Sequence, residues 1–254
     1  MGRYAGTISI LVLFVAVKFA VLSLVMPLWA KGPIDSLSHT TFVNSTLKAG
    51  VWGYCITGQV NRTPTDACIG FFLTNHTALR EGRYQREASS HPFELVMATA
   101  KVHFAVDQGV CAAFRSGHFD IAGLDPNLFR QFLSNSCGTL GVVSFVASLL
   151  AMLLGLVALA TLCGFVLCVE DASCFGEFVK AASVLAAFSS LVAIVSWLYQ
   201  IDPLVHAGIS RGIAFVLQVV ACQLFVVAAI AVHAYANEKR GVNYNLTTLK
   251  SVEE

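Results

Sequence analysis

The chain has 254 residues, of which 56% are hydrophobic and 12% charged, with a formal net charge of +1. A soluble globular domain carries about 25% charged residues, so too few remain here to coat a water-facing surface. A balance this close to neutral excludes nucleic acid as an expected partner and offers no field to steer a charged ligand.

A short N-terminal stretch, residues 1–8, precedes the first apolar segment, residues 9–29. Crossing about 30 Å of hydrocarbon takes roughly 20 residues of helix, and lipid offers backbone groups no other partners, so this segment reads as a transmembrane helix. It is longer than the core of a cleaved leader and Lys18 interrupts it, while Pro27-Leu28-Trp29-Ala30 fits a small-x-small cleavage site poorly. The start Met1-Gly2-Arg3-Tyr4-Ala5-Gly6 lacks the Ser or Thr of a myristoylation signal. Lys18 is the one ionisable residue deep in a span. Such a group is a functional candidate by default; the bland alternatives are that it snorkels, or pairs with Gln218 or Gln223.

Residues 30–140 form the single sizeable polar region. Three glycosylation sequons fall in it, at Asn44, Asn61 and Asn75, which suits a loop that meets the secretory lumen; a fourth, at Asn245, reads as a chance match. Four cysteines, Cys55, Cys68, Cys111 and Cys137, lie in the same region and are expected to form disulfides there. Of the three possible connectivities, Cys55–Cys68 with Cys111–Cys137 is favoured, because a short polar loop containing Pro64 joins the first pair. Within the region, residues 41–43 and 50–60 are rich in β-branched and aromatic residues and predict strands. Residues 93–114 carry Leu95, Ala98, Val102, Ala105 and Val106 at helical spacing and predict a helix. Asp125 and Pro126 suit the start of another, over residues 127–134.

Three further spans follow: residues 141–168, 179–199 and 213–235, separated by a short loop at 169–178 and another at 200–212, with a tail at 236–254. Trp29, Trp197, Tyr199 and Tyr235 fall near span ends, where such rings favour the membrane interface. Small residues including Ala181, Ala182, Ser183, Ala186, Ala187, Ser189 and Ser190 predict close helix packing in the bundle. Arg3, Lys180, Lys239, Arg240 and Lys250 lie on the side opposite the long loop, against Arg211 alone on its side, so both termini and the 169–178 loop are expected in the cytoplasm. Cys168 and Cys174, at that face, are candidate palmitoylation sites, the alternative being plain packing. Cys163 falls in the same neighbourhood, and Cys222 is mid-span.

Catalytic patterns are lacking. The seven histidines form no metal-ligand pair at helical spacing, and no nucleophile elbow, phosphate loop or paired intramembrane carboxylates occur. The expectation is a protein that is not an enzyme, with no cofactor, metal or small-molecule substrate. His103 and Asp107, four apart, read as a surface pair.

The most informative string is Gly50-Val51-Trp52-Gly53-Tyr54-Cys55, followed by Cys68 and Gly70-Phe71, after a first span ending Pro27-Leu28-Trp29. This layout resembles the claudin-like tetraspan superfamily, with Gly50, Trp52, Gly53, Tyr54, Cys55 and Cys68 as its signature. The Trp-Gly-Tyr-Cys variant is similar to fungal PalI-like and eisosome-associated tetraspans. The resemblance spans the topology of the whole chain, but at residue level rests on about twenty loop positions. It implies a four-transmembrane-helix bundle bearing a mixed α/β, disulfide-bonded extracellular domain. Three departures stand out: the loop is far longer than in animal claudins, it holds a second cysteine pair, and the final residues Lys250-Ser251-Val252-Glu253-Glu254 lack the apolar end a PDZ groove takes, against a tight-junction scaffold role. The plainer role of the signature is structural: Trp52 packs the loop's core and Cys55–Cys68 staples a hairpin, worth about 2–4 kcal/mol.

The expected function is that of a plasma-membrane tetraspan that organises a membrane domain or assists another membrane protein, with membrane lipids, other membrane proteins and copies of itself as partners. The fungal branch implies cortical organisation or help in ambient-pH sensing; the wider superfamily implies adhesion or an accessory-subunit role. The alternative is an ion pore or a regulatory subunit of a channel or transporter.

Overall fold

The computed structural model describes residues 2–33, 42–60, 63–72, 94–97, 100–103, 110–115, 126–167 and 173–253. In chain order the elements are α1 (Gly2–Val25), β1 (Ala30–Pro33), β2 (Phe42–Ala49), β3 (Gly53–Val60), β4 (Thr63–Gly70), β5 (Glu94–Met97), β6 (Ala100–His103), α2 (Val110–Arg115), α3 (Pro126–Cys137), α4 (Thr139–Leu167), α5 (Ser173–His206), β7 (Ser210–Arg211) and α6 (Ile213–Glu253). Four of these helices are long and apolar enough to cross a membrane, over Gly6–Val25, Thr139–Val166, Phe175–His206 and Ile213–Asn237. That is the pattern of a multi-pass, mostly helical membrane protein.

The chain divides into two compact units. The first comprises Met1–Leu22, Ala147–Val192 and Leu217–Glu254. Its interior is built largely from small side chains: Ala16, Ala20, Ala158, Ala182, Ala186, Ala221 and Ala228 are buried with Leu13, Leu162, Phe165 and Phe225. Over residues 182–191 of α5 small and large side chains separate by face, although Ala181 just before them is exposed. Ala182, Ser183, Ala186, Ala187 and Ser190 are buried, while Val184, Leu185, Phe188 and Leu191 are exposed. A water-soluble helix keeps its large apolar residues inside. Here the large ones face out and the small ones let helices approach, which suits lipid as the solvent. Ser183 donates to Val179 O and Thr161 to Val157 O, so these hydroxyls are satisfied one turn back along their own helices.

The second unit comprises Ser23–Val146 and Ala193–Val216. Its centre is an antiparallel five-stranded sheet in the order β4-β3-β2-β1-β7. Strand β1 follows directly on α1, and β7 bridges α5 to α6, so the sheet grows out of helix ends. Pro64, without an N–H, is tolerated because β4 is an edge strand. Helix α3 lies with Phe129, Phe132, Leu133, Ser136 and Cys137 buried and Asn127, Arg130, Gln131 and Ser134 exposed, an amphipathic spacing of three and four.

Several boundaries differ from the sequence expectation. The first span's helix stops at Val25, short of Trp29, because Pro27 cannot continue it. Helix α5 runs through much of the expected 200–212 loop to His206, and α6 continues through the tail to Glu253. The segment between Cys55 and Cys68, expected as a polar loop, is largely strand: β3 and β4 pair antiparallel from Gly53 with Gly70 to Val60 with Thr63, and residues 61–62 lie outside the described residues. Where a helix is expected over residues 93–114, the described residues form strands β5 and β6, pairing Leu95 with Val102 and Val96 with Lys101, and the short α2. In a run this short, periodicity does not separate helix from strand, and β-branched Val96 and Val102 favour cross-strand pairing. His103 therefore ends a strand, and Asp107 lies outside the described residues. Trp29 and Trp197 are not interface anchors. Both are fully buried and meet edge to face, with ring centroids 5.4 Å apart. Tyr235 is also buried, and Tyr199 alone of the four is exposed.

Candidate functional site: the stapled loop domain

The signature residues gather where the sheet leaves α1, and each has a mechanical task. Gly50 lies against the chain just past α1: a Cβ there would stand 2.9 Å from Pro27 Cα and 3.2 Å from Met26 O. No other residue fits that approach without moving backbone. Trp52 is half-buried, and its indole Nε1 donates to Val25 O at 3.0 Å. Trp29 donates in the same way to Ser23 O at 2.7 Å. The last four carbonyls of a helix have no intrahelical partner, so the two indoles cap the end of α1.

Gly53 starts β3, and its carbonyl accepts from Gly50 N at 2.8 Å, while Trp52 O accepts from Phe71 N at 2.8 Å. These bonds fix the signature turn against the far end of the β3–β4 hairpin. Tyr54 points into the core, fully buried beside Phe71 and Phe129, its ring edge-on to Phe129 at 5.7 Å. Its hydroxyl has no hydrogen-bond partner among the described residues, and burial pushes the phenol far above its ordinary pKa, so it stays protonated.

Cys55 and Cys68 are direct cross-strand partners in β3 and β4 and are joined by a disulfide, with Cα atoms 4.0 Å apart. Cys111 and Cys137 form the second disulfide, which ties α2 to the C-terminal end of α3. This is the connectivity favoured from the sequence. Cys111 N also donates to Phe71 O at 3.2 Å, which links α2 to the hairpin end. From the helix side, Gln200 Nε2 on α5 donates to Ser136 Oγ on α3 at 2.7 Å, and Asn135 Nδ2 donates to Tyr199 O at 3.3 Å. Gly212 N and Ala214 N, at the start of α6, donate to Trp29 O and Leu28 O, so the strand-bearing segment after α1 also caps α6. Sequence reasoning missed Phe71, Phe129 and Phe132 as the aromatic core of this domain; the spacing of Phe129, Phe132 and Leu133 was the signal that could have found them.

Other candidates are not drawn into this site. Asn44 lies in β2, while Asn61, Asn75 and Cys168 lie outside the described residues. Cys174 is the second residue of α5. Cys163 and Cys222 are free thiols, and Cys222 Sγ donates to Ala187 O at 3.4 Å across α6 and α5. Lys18 pairs with neither glutamine. It is exposed on α1 with its ammonium 5.5 Å from the Phe14 ring, whereas Gln218 is fully buried with both amide atoms unpartnered among the described residues. No group of three or more His, Cys, Asp or Glu side chains that would hold a metal occurs among the described residues. A comparison with protein-family models gives no match, and neither does one with the curated proteins.

Proposed function

We propose that this chain is a non-enzymatic plasma-membrane protein of the claudin-like tetraspan type, with the stapled domain outside the cell and both termini in the cytoplasm. It organises a membrane domain or assists a partner membrane protein, and the loop domain is its recognition surface. One observation carries the reading: the signature residues are spent on rigidity. Gly50, Trp52, Trp29 and the Cys55–Cys68 bridge fix a five-stranded sheet to the end of α1, which supports a fixed binding platform in place of a reactive cleft. Pre-organised surfaces lose less entropy on binding.

Crosslinking in native membranes, followed by capture in mild detergent, tests it. Specific partners or self-association support the reading; a chain that remains monomeric and unaccompanied overturns it. Sidedness has its own test. Deglycosylation should shift mobility, and Cys55 should resist thiol reagents until reduced. No glycan shift together with free labelling of Cys55 places the loop on the wrong side.

A second reading, an ion pore or a channel-regulating subunit, draws on buried polar atoms in the first unit. Gln218, Ser148 and Ser190 are buried there with side-chain atoms unpartnered among the described residues. Reconstitution in liposomes tests the pore: ion flux that changes in Gln218→Leu favours it, and absence of flux removes it.

A further inference from the structure

We propose that the outer face of α1 around Lys18 is a docking seam for a transmembrane helix of another membrane protein, one carrying an aspartate or glutamate near the middle of its span. This deepens the partner-assisting reading and rests on it.

The first observation is depth. The candidate span Gly6–Val25 is 20 residues, about 30 Å of helix. Lys18 lies about 18 Å from its start and about 10 Å from Val25. A lysine so placed would reach the nearer interface by running towards Val25. It does the reverse. Its ammonium lies 5.5 Å from the ring of Phe14, one turn back. Helical side chains lean towards the N-terminus, so a lysine in the second half of α1 is aimed at mid-span. The charge therefore sits close to the middle of the span, on an exposed face.

The second observation is what surrounds it. Leu11, Phe14 and Leu22 share that face at spacings of three and four, all exposed. This is the ridge that one helix offers another. Phe14 gives the ammonium some quadrupolar attraction but no compensating charge.

The third is that no counter-ion for Lys18 occurs among the described residues. Within the four candidate spans the acidic residues are Glu177 and Asp202, both near the ends of the Phe175–His206 span. Glu177 is paired with Lys180. A second copy of this chain would bring another Lys18 to the seam and no carboxylate. The complementary group must come from a different chain, and at mid-span a helix-borne Asp or Glu is the chemistry that fits.

The test uses the purified full-length chain in phosphatidylcholine vesicles with labelled leucine-rich transmembrane peptides bearing a central Glu, Gln or Leu, read by energy transfer. The Glu peptide should associate at least about tenfold more tightly than the Leu peptide. Lys18→Met should abolish the preference, Lys18→Arg should keep it, and Lys18→Glu should transfer it to a Lys-bearing peptide. Equal binding of Glu and Leu peptides overturns the proposal, as does a preference that survives in Lys18→Met. Loss of the preference on adding phosphatidylserine overturns it too, by assigning the ammonium to lipid headgroups. No native partner is needed, so failure here leaves loop-mediated assembly standing, while an unaccompanied native chain would remove that assembly and leave the peptide result intact.

Discussion

Trp29 and Trp52 close the same helix end, the first donating to Ser23 O at 2.7 Å and the second to Val25 O at 3.0 Å. They lie on either side of β1 and β2 in sequence, yet both serve the last turn of α1. Their environments differ: Trp29 is fully buried against Trp197, and Trp52 is half-buried. Trp29→Phe leaves a buried carbonyl unpaired and should cost about 2–3 kcal/mol once the lost ring contact is included. Trp52→Phe leaves a carbonyl that water can reach and should cost about 1 kcal/mol. Thermal unfolding in detergent should rank the two in that order; a reversed ranking would remove the capping account.

Tyr54 separates the ring from its hydroxyl. The ring is fully buried among Phe71 and Phe129, while the hydroxyl has no partner among the described residues. Removing an unpaired buried hydroxyl is neutral or stabilising. Tyr54→Phe should therefore change stability by less than about 0.5 kcal/mol or raise it, and Tyr54→Ala should cost about 3–5 kcal/mol by opening a cavity. A large loss in Tyr54→Phe, measured by the same unfolding curves, would mean that the hydroxyl is engaged.

The spans and the stapled loop were legible because their signals are local. An apolar run of span length admits few structures, and Cys55 and Cys68 sit at a spacing that a hairpin closes directly. The misreadings came where the deciding force is not local. Trp29 and Trp197 looked like interface anchors by position, but each is the other's packing partner across 168 residues of chain. The 93–114 stretch shows helical spacing, yet Leu95 pairs with Val102 across a strand. Lys18 was legible as an anomaly, but its direction was not; that depends on the reach back to Phe14. The small residues of α5 predicted close packing, and the buried series Ala182, Ala186 and Ala187 follows that expectation.

The two disulfides should not contribute equally. Cys55 and Cys68 are 13 residues apart in strands that already pair; Cys111 and Cys137 are 26 apart and tie a short helix to another. Restriction of the unfolded loop alone gives about 3 and about 3.5 kcal/mol. Strands β3 and β4 pair along eight residues and should hold without their staple, whereas α2 has only six residues, held otherwise by the Cys111 N–Phe71 O bond and the burial of Val110. The Cys111→Ala/Cys137→Ala double variant should therefore lose more stability than Cys55→Ala/Cys68→Ala, and protease should cut it first near α2. Peptide mapping without reduction should recover both native pairs in the parent chain; any crossed pair would contradict the fold.

Gln200 and Gln218 provide a matched comparison, since both are fully buried on long helices. Gln200 donates from Nε2 to Ser136 Oγ at 2.7 Å and so holds α3 to α5, its Oε1 being unpartnered among the described residues, whereas neither amide atom of Gln218 has a partner there. Burying an unpaired amide costs about 1–3 kcal/mol on the evidence of protein substitutions. Gln218→Leu removes that cost at similar volume and should stabilise the chain by about 1–2 kcal/mol. Gln200→Leu leaves Ser136 without its partner but also removes the unpaired Oε1, and should destabilise by about 1 kcal/mol. Denaturant titration in mixed micelles reads both. The same sign for the two substitutions would show that burial alone, and not pairing, sets the worth of a glutamine in these helices.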